Sequence, residues 1–145
     1  VTPTDLVHSV ASICSASAND AFSYLADPVR LGEWALGCWG AVASGPGIVR
    51  GTSLFDGVDT FARPLPHDGQ LLVDYEVGDD PDRLVRRITA RVVPGEVLGE
   101  PPSRSLVVLT GWRVGWMEDE RWRQLVVAHE AEILLLRQRI QAWSS

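Results

Sequence analysis

The chain has 145 residues, the size of one domain, since two would leave each half short of a workable core. Its 46% apolar and 22% charged residues, with a mean hydropathy of +0.03, are the balance of a globular chain able to bury a core. A net charge of −6 and a pI near 4.9 argue against a nucleic-acid or anionic-membrane partner, and because all 13 basic residues are arginine, chemistry that runs through lysine is excluded.

The N-terminal segment VTPTDLVHSV lacks the basic start and apolar centre of a signal peptide, and no run approaches the roughly 18 apolar residues of a membrane-spanning helix. Val1 in place of methionine points to a processed or truncated start. The expectation is a cytoplasmic protein in which Cys14 and Cys38 are free core thiols. Residues 5–14 (DLVHSVASIC) alternate, with enough β-branched character for a first strand. In SASANDAFSYLADP, Ser17 and Asp20 stand three apart as a capping box requires, ahead of Phe22, Tyr24 and Leu25. The helix they open should stop at Asp27, because Pro28 disfavours helical geometry in the residue before it. Asp27 can then cap a second short helix with Pro28 at its first position, running to about Trp34.

Residues 36–113 show no helical periodicity. They divide into strand-like runs at LGCWGAVA, IVRGTSLFD, VDTFARPL, QLLVDYEV, RLVRRITARVV and RSLVVLTGWR, separated by the turn signals SGPG, HDG, GDDPD and PGEVLGEPPS. Short runs without intervening helices predict an antiparallel meander. From about Met117 to Trp143 the pattern becomes one long amphipathic helix, with Trp122, Leu125, Val126, His129, Ile133, Leu136, Ile140 and Trp143 stepping by three and four. Glu118, Asp119 and Glu120 at its start and Arg137 and Arg139 near its end suit the helix dipole. The order describes an α+β fold, a curved seven-stranded antiparallel sheet wrapped round the last helix. Sheet and helix cannot interdigitate along their whole length, so a hollow fit for a small apolar ligand is expected, closed at one end by the short helices.

NDAFSYLADPVRLGEW at 19–34, LLVDYEV at 71–77 and GWMEDERWRQLVVAHEAEILLLRQRI at 115–140 resemble fold phrases of the START-like, helix-grip (SRPBCC) superfamily, which includes birch-pollen allergens and polyketide cyclase/dehydrase-like proteins. The resemblance spans nearly the whole chain and implies the helix-grip fold. It contains no catalytic signature, and fold alone does not assign a reaction.

His129 is the first candidate for chemistry. It lies on the apolar stripe one turn from Leu125, Val126 and Ile133, where an apolar cavity would keep it neutral and able to act as a base. The competing reading is a core histidine satisfied by a backbone carbonyl or by Tyr75. Tyr75 shares a strand face with Val73 and Val77 and is a candidate hydrogen-bond donor to a ligand oxygen, while Asp74 and Glu76 face solvent. Asp59, beside Phe61, is a candidate carboxylate partner for His129, although a one-residue slip in register would turn it outwards. Trp34, Trp39 and Trp112 are candidate stacking surfaces, whereas Trp122 and Trp143 are expected in the core. Arg86 falls on one face with Leu84, Ile88 and Ala90, as either a pocket cation or an edge residue reaching water. Leu125 and Ile133 complete the expected ligand wall.

GPGIVRG at 45–51 is not a dinucleotide fingerprint and leads into a strand. His8, His67 and His129 have no ligand spacing, GDDPD reads as a solvated turn, and no metal or cofactor is expected. The expected function is binding of a hydrophobic, aromatic or polyketide-like small molecule, with cofactor-free acid/base catalysis of its cyclisation, dehydration or isomerisation. The alternatives are a non-catalytic carrier or sensor, and an interaction module whose cavity has collapsed. The expected partner is a small hydrophobic molecule, with neither nucleic acid nor membrane insertion, and homodimerisation is left open.

Overall fold

A computed structural model describes residues 1–144, the side chain of Thr4 excepted. Strand β1 (Val7–Cys14) is followed by helix α1 (Ala18–Ala26), strands β2 (Trp39–Ala43), β3 (Val49–Thr52), β4 (Asp59–His67), β5 (Leu72–Gly78), β6 (Val85–Pro94) and β7 (Ser105–Trp112), and helix α2 (Asp119–Ser144). The strands form one antiparallel sheet in the order β1-β7-β6-β5-β4-β3-β2, a meander whose last strand returns to pair with the first. This is the helix-grip architecture expected from the chain pattern. No helix among the described residues is long and apolar enough to cross a membrane.

Local chemistry explains the α1 corner. Ser17 Oγ accepts a hydrogen bond from the Asp20 N–H at 3.2 Å, and Asp27 Oδ1 accepts from the Val29 N–H at 3.1 Å. The second short helix is not α-helical, however. It is a 3₁₀ turn, Val29–Glu33, followed by another at Leu36–Cys38. Two features oppose an α-helix here: the stretch is too short to nucleate one, and Gly32 is pressed against the backbone of Ala41. Likewise the expected run 48–56 ends as a strand at Thr52, and residues 53–57 close a turn through the Gly57 N–H and the Ser53 carbonyl, 2.8 Å apart.

The concave face carries small or branched side chains: Ala62, Val73, Ala90, Val107 and Leu109 are fully buried there against α1 and α2. Helix α2 packs against β1 and β7. Its buried stripe is Trp122, Leu125, Ala128, His129, Glu132, Ile133, Leu136 and Ile140, so the expected stripe holds at six positions, takes in Ala128 and Glu132, and leaves Val126 only half-buried. Trp143 is not core: it is 40% exposed and lies edge-on to Tyr24. On β7 alternate residues Ser105, Val107, Leu109 and Gly111 point inwards, and the His129 ring rests directly on the bare backbone of Gly111. A methyl group at residue 111 would collide with the imidazole and with Leu125. Gly111→Ala is therefore expected to destabilise the fold by roughly 1–3 kcal/mol through overpacking, measured as a lowered midpoint in urea unfolding.

Candidate functional site

A cavity lies between α2 and the β4–β6 part of the sheet. It encloses about 560 Å³ of space outside protein atoms, including its opening to solvent, of which a water centre can occupy about 60 Å³. It is narrow. The sheet wall is Ala62 from β4, Tyr75 and Val77 from β5, and Arg87 and Ile88 from β6. The helix wall is Arg121, Leu125, Ala128, His129 and Glu132, and the end is closed by Leu31, Ala35, Gly37, Cys38 and Phe55.

Of the predicted residues, His129, Tyr75 and Leu125 meet at this cavity and the others do not. Tyr75 does not offer its proton to the cavity: its hydroxyl donates to the Leu25 carbonyl at 2.8 Å, and burial pushes its phenol far above the usual range. Asp59 is exposed at the start of β4, where the inward residues are Ala62 and Pro64. Asp59 and Phe61 therefore sit on the opposite parity, and the register is the one that turns the carboxylate away from His129. Trp34 is buried behind Tyr75, their rings edge to face at 5.8 Å. Trp39 begins the edge strand β2, Trp112 alternates outwards from Gly111, and Ile133 is packed in the core beyond the cavity.

Arg86 is displaced by a β-bulge. Tyr75 pairs with Ile88 but Glu76 pairs with Arg86, so Arg86 and Arg87 together oppose Glu76. The extra residue breaks the alternation that placed Arg86 with Ile88. Arg86 reaches Asp74 at 3.6 Å instead, and Arg87 lines the cavity. Asp74 and Glu76 are not simply solvated: Asp74 also meets His67 at 3.0 Å, and Glu76 meets Arg63 at 3.1 Å.

The residue most clearly missed is Glu132, which is 6% exposed. Its place, three after His129 and four before Leu136, is the sequence signal that marks it as inward-facing. Oε2 accepts the Leu36 N–H at 2.9 Å, and Oε1 lies 3.9 Å from His129 Nε2. Burial pushes the Glu132 carboxyl up to about 8, against the pull of the Leu36 N–H and the Arg121 charge. Burial, helped by the neighbouring His8 ring, lowers His129 to about 4. Near neutral pH the site thus holds an uncharged imidazole beside a protonated carboxylic acid, so the 3.9 Å contact is not an ion pair there. Burial also lowers Arg87 to about 10, with the Arg121 charge acting in the same sense and Asp79 opposing it. Arg121 in turn lies over the Phe55 ring, 5.2 Å from its centre. Cys14 and Cys38 are free and buried, their thiols pushed up to about 11 by burial. No cluster of metal-ligating side chains is found among the described residues.

The fold is shared with solved structures. The chain is similar to a START superfamily protein from Mycobacterium smegmatis, with a TM-score of 0.67 at 13% identity over 94% of this chain and 98% of that one. It is similar to the Zhui aromatase/cyclase from a Streptomyces species, with a TM-score of 0.65 at 13% identity over 93% of each chain. Against the di-domain ARO/CYC BexL the TM-score is 0.68 at 11% identity, covering 93% of this chain and 46% of that one. No protein-family model matches the sequence, and no curated protein matches it. The chain has the helix-grip fold of the START-like superfamily, with polyketide aromatase/cyclases among its structural neighbours.

The two shifted groups act oppositely on stability. His129, lowered from 6.5, contributes fully above pH 6.5 and loses its contribution as pH falls towards 4. Glu132, raised from 4.5, contributes fully below pH 4.5 and loses its contribution as pH rises through about 8. Between pH 6.5 and 8 the Glu132 effect dominates, and unfolding free energy is expected to fall by roughly 1–2 kcal/mol. In Glu132→Gln, which keeps an acceptor for Leu36, urea titrations across that range should show the fall removed.

Proposed function

We propose that the protein binds a hydrophobic, aromatic or polyketide-like small molecule in the cavity and catalyses proton transfers on it without a cofactor. The observation that carries this reading is the buried pair of His129 and Glu132, a neutral base and a neutral acid 3.9 Å apart on an otherwise largely apolar wall. The aromatase/cyclases among its fold neighbours support the same reading.

In an isomerisation or cyclisation, His129 Nε2 takes the proton from a carbon beside a ligand carbonyl. The electron pair of the broken C–H bond forms the enol C=C, and the carbonyl oxygen takes the Glu132 proton. Return of the proton from His129 to carbon, or attack of the enol carbon on a second carbonyl whose oxygen takes the His129 proton, completes the step as the enol O–H proton goes back to Glu132 and the carbonyl re-forms. In a dehydration the Glu132 proton leaves with the hydroxyl group as water, and His129 retains the C–H proton until it returns to Glu132. A flexible substrate gains further from being held in one reactive shape by the narrow walls. Tyr75 takes no part in these steps, because its hydroxyl donates to the Leu25 carbonyl.

A second reading, a carrier or sensor without chemistry, is favoured by one observation: Glu132 accepts the Leu36 N–H and so also serves to anchor the 3₁₀ turn. Native mass spectrometry of freshly purified protein is expected to show a co-purified apolar molecule, and saturation with that molecule should raise the thermal midpoint. For the catalyst, His129→Ala should cut turnover by roughly 10²–10⁴-fold with little change in affinity. Equal loss of affinity and turnover would favour the carrier, and absence of any stabilising apolar ligand would overturn both readings.

A further inference from the structure

Arg87 and Arg121 stand where the inner cavity meets a second, outer depression, and both side chains line both spaces. Arg87 Nε and Arg121 Nη1 are buried and have no hydrogen-bond partner among the described residues. Nor does either guanidinium make an ion pair within 4.0 Å among those residues, although Asp56, Asp59 and Asp79 line the outer depression. Buried N–H groups without acceptors are costly, and two like charges at one opening raise that cost. The arrangement is nevertheless built. The β6 bulge turns Arg87 inwards, and the Phe55 ring holds Arg121 from one side.

We propose that Arg87 and Arg121 are the receptor for the carboxylate of an acidic amphiphile whose apolar body lies in the cavity against Ala62, Val77 and Leu125. This rests on reading the cavity as a ligand site and adds the chemical class of the ligand. A carboxylate supplies acceptors that match the planar guanidinium fork. It carries a single negative charge, where a phosphate dianion would face Asp56, Asp59 and Asp79 across the depression. The polarity of the cavity sets the orientation: charged arginines are at its mouth and uncharged His129 and Glu132 on its inner wall, so the anionic head stays outermost.

The test is isothermal calorimetry at low salt with flat aromatic carboxylic acids, 2-naphthoic acid among them, each paired with its primary amide. In the unaltered protein the acids are expected to bind about tenfold tighter than the amides or better. Arg87→Gln and Arg121→Gln should each remove most of that preference and leave amide affinity unchanged. Arg86→Gln, on the outer face beside Asp74, should change neither. Near-ultraviolet circular dichroism checks that the variants are folded, and if Arg87→Gln is not, Arg121→Gln in the first turn of α2 carries the test. Equal binding of acid and amide, or a preference that survives in the double variant, overturns the carboxylate receptor and leaves the cavity reading standing. Failure of every acid and every amide to bind overturns both.

Discussion

The cavity exists because α2 rests on the β1–β7 side of the sheet and stands off from β4, β5 and β6. On that side the His129 imidazole lies on the side-chain-free backbone of Gly111. That contact seats the helix on β7 and β1, and the cavity opens towards β4, β5 and β6, none of whose lining residues comes from β1 or β7. The gap widens where the sheet carries Ala62, Val77 and Ile88, side chains too short to fill it from below, opposite Ala128 on the helix. The 3₁₀ turns between α1 and β2 then close the end, tied to the helix through the Leu36 N–H and Glu132. Helix seating, cavity and candidate chemistry thus share one pair of side chains, a turn apart on α2.

Burial acts on that pair in opposite senses and leaves the same result. A carboxylate is costly to bury, so Glu132 holds its proton; an imidazolium is costly to bury, so His129 releases its own. An acid and a base of this kind in water would neutralise each other and become an ion pair. Here desolvation outweighs their mutual attraction, and the two stay uncharged within 4 Å. That is the condition for an acid and a base to work in concert on one neutral ligand. It also explains why the pair is not strongly linked to the arginines: Arg121 influences Glu132 only through space, without an ion pair between them.

The periodicity of the chain was enough to read the element order, the seven-stranded meander and the inward placement of Tyr75 and His129, because each rests on alternation or helical stepping over a long, regular run. Where the pattern misled, local irregularity or small residues were the cause. The concave side of β4 is marked by Ala62 and Pro64, and the bulkier Phe61 and Leu65 have the opposite parity, so hydrophobicity alone chose the wrong face for Asp59 and Phe61. On β6 a single extra residue exchanged the roles of Arg86 and Arg87, and no residue type announces such a bulge between two arginines. Glu132 was hidden by its charge, which ordinarily marks a solvent face, although its spacing from Leu125, His129 and Leu136 is that of an inward residue. The tryptophans misled for a related reason. Large rings suit ligand walls, but the rings on this cavity are Phe55, Tyr75 and His129, and Trp34 serves it from behind by bracing Tyr75.

Polarity then runs along the cavity in a definite direction. At the mouth two permanently charged groups retain unused donors; on the inner wall two titratable groups have been rendered neutral; the rest of the lining is largely apolar. Arginine is the residue for the outer position because its charge survives partial burial, as Arg87 does even when lowered to about 10. Glutamate and histidine suit the inner one because theirs does not. A chain with 13 arginines and no lysine has only arginine for the outer position, and burial is the main cause of the neutrality of the inner pair. A ligand entering such a gradient is sorted by its ends: the charged end is costly to move past Leu125 and Val77, and the neutral, proton-exchanging end meets groups that demand no ion pairing. Orientation would therefore precede any chemistry, and it would follow from desolvation more than from shape.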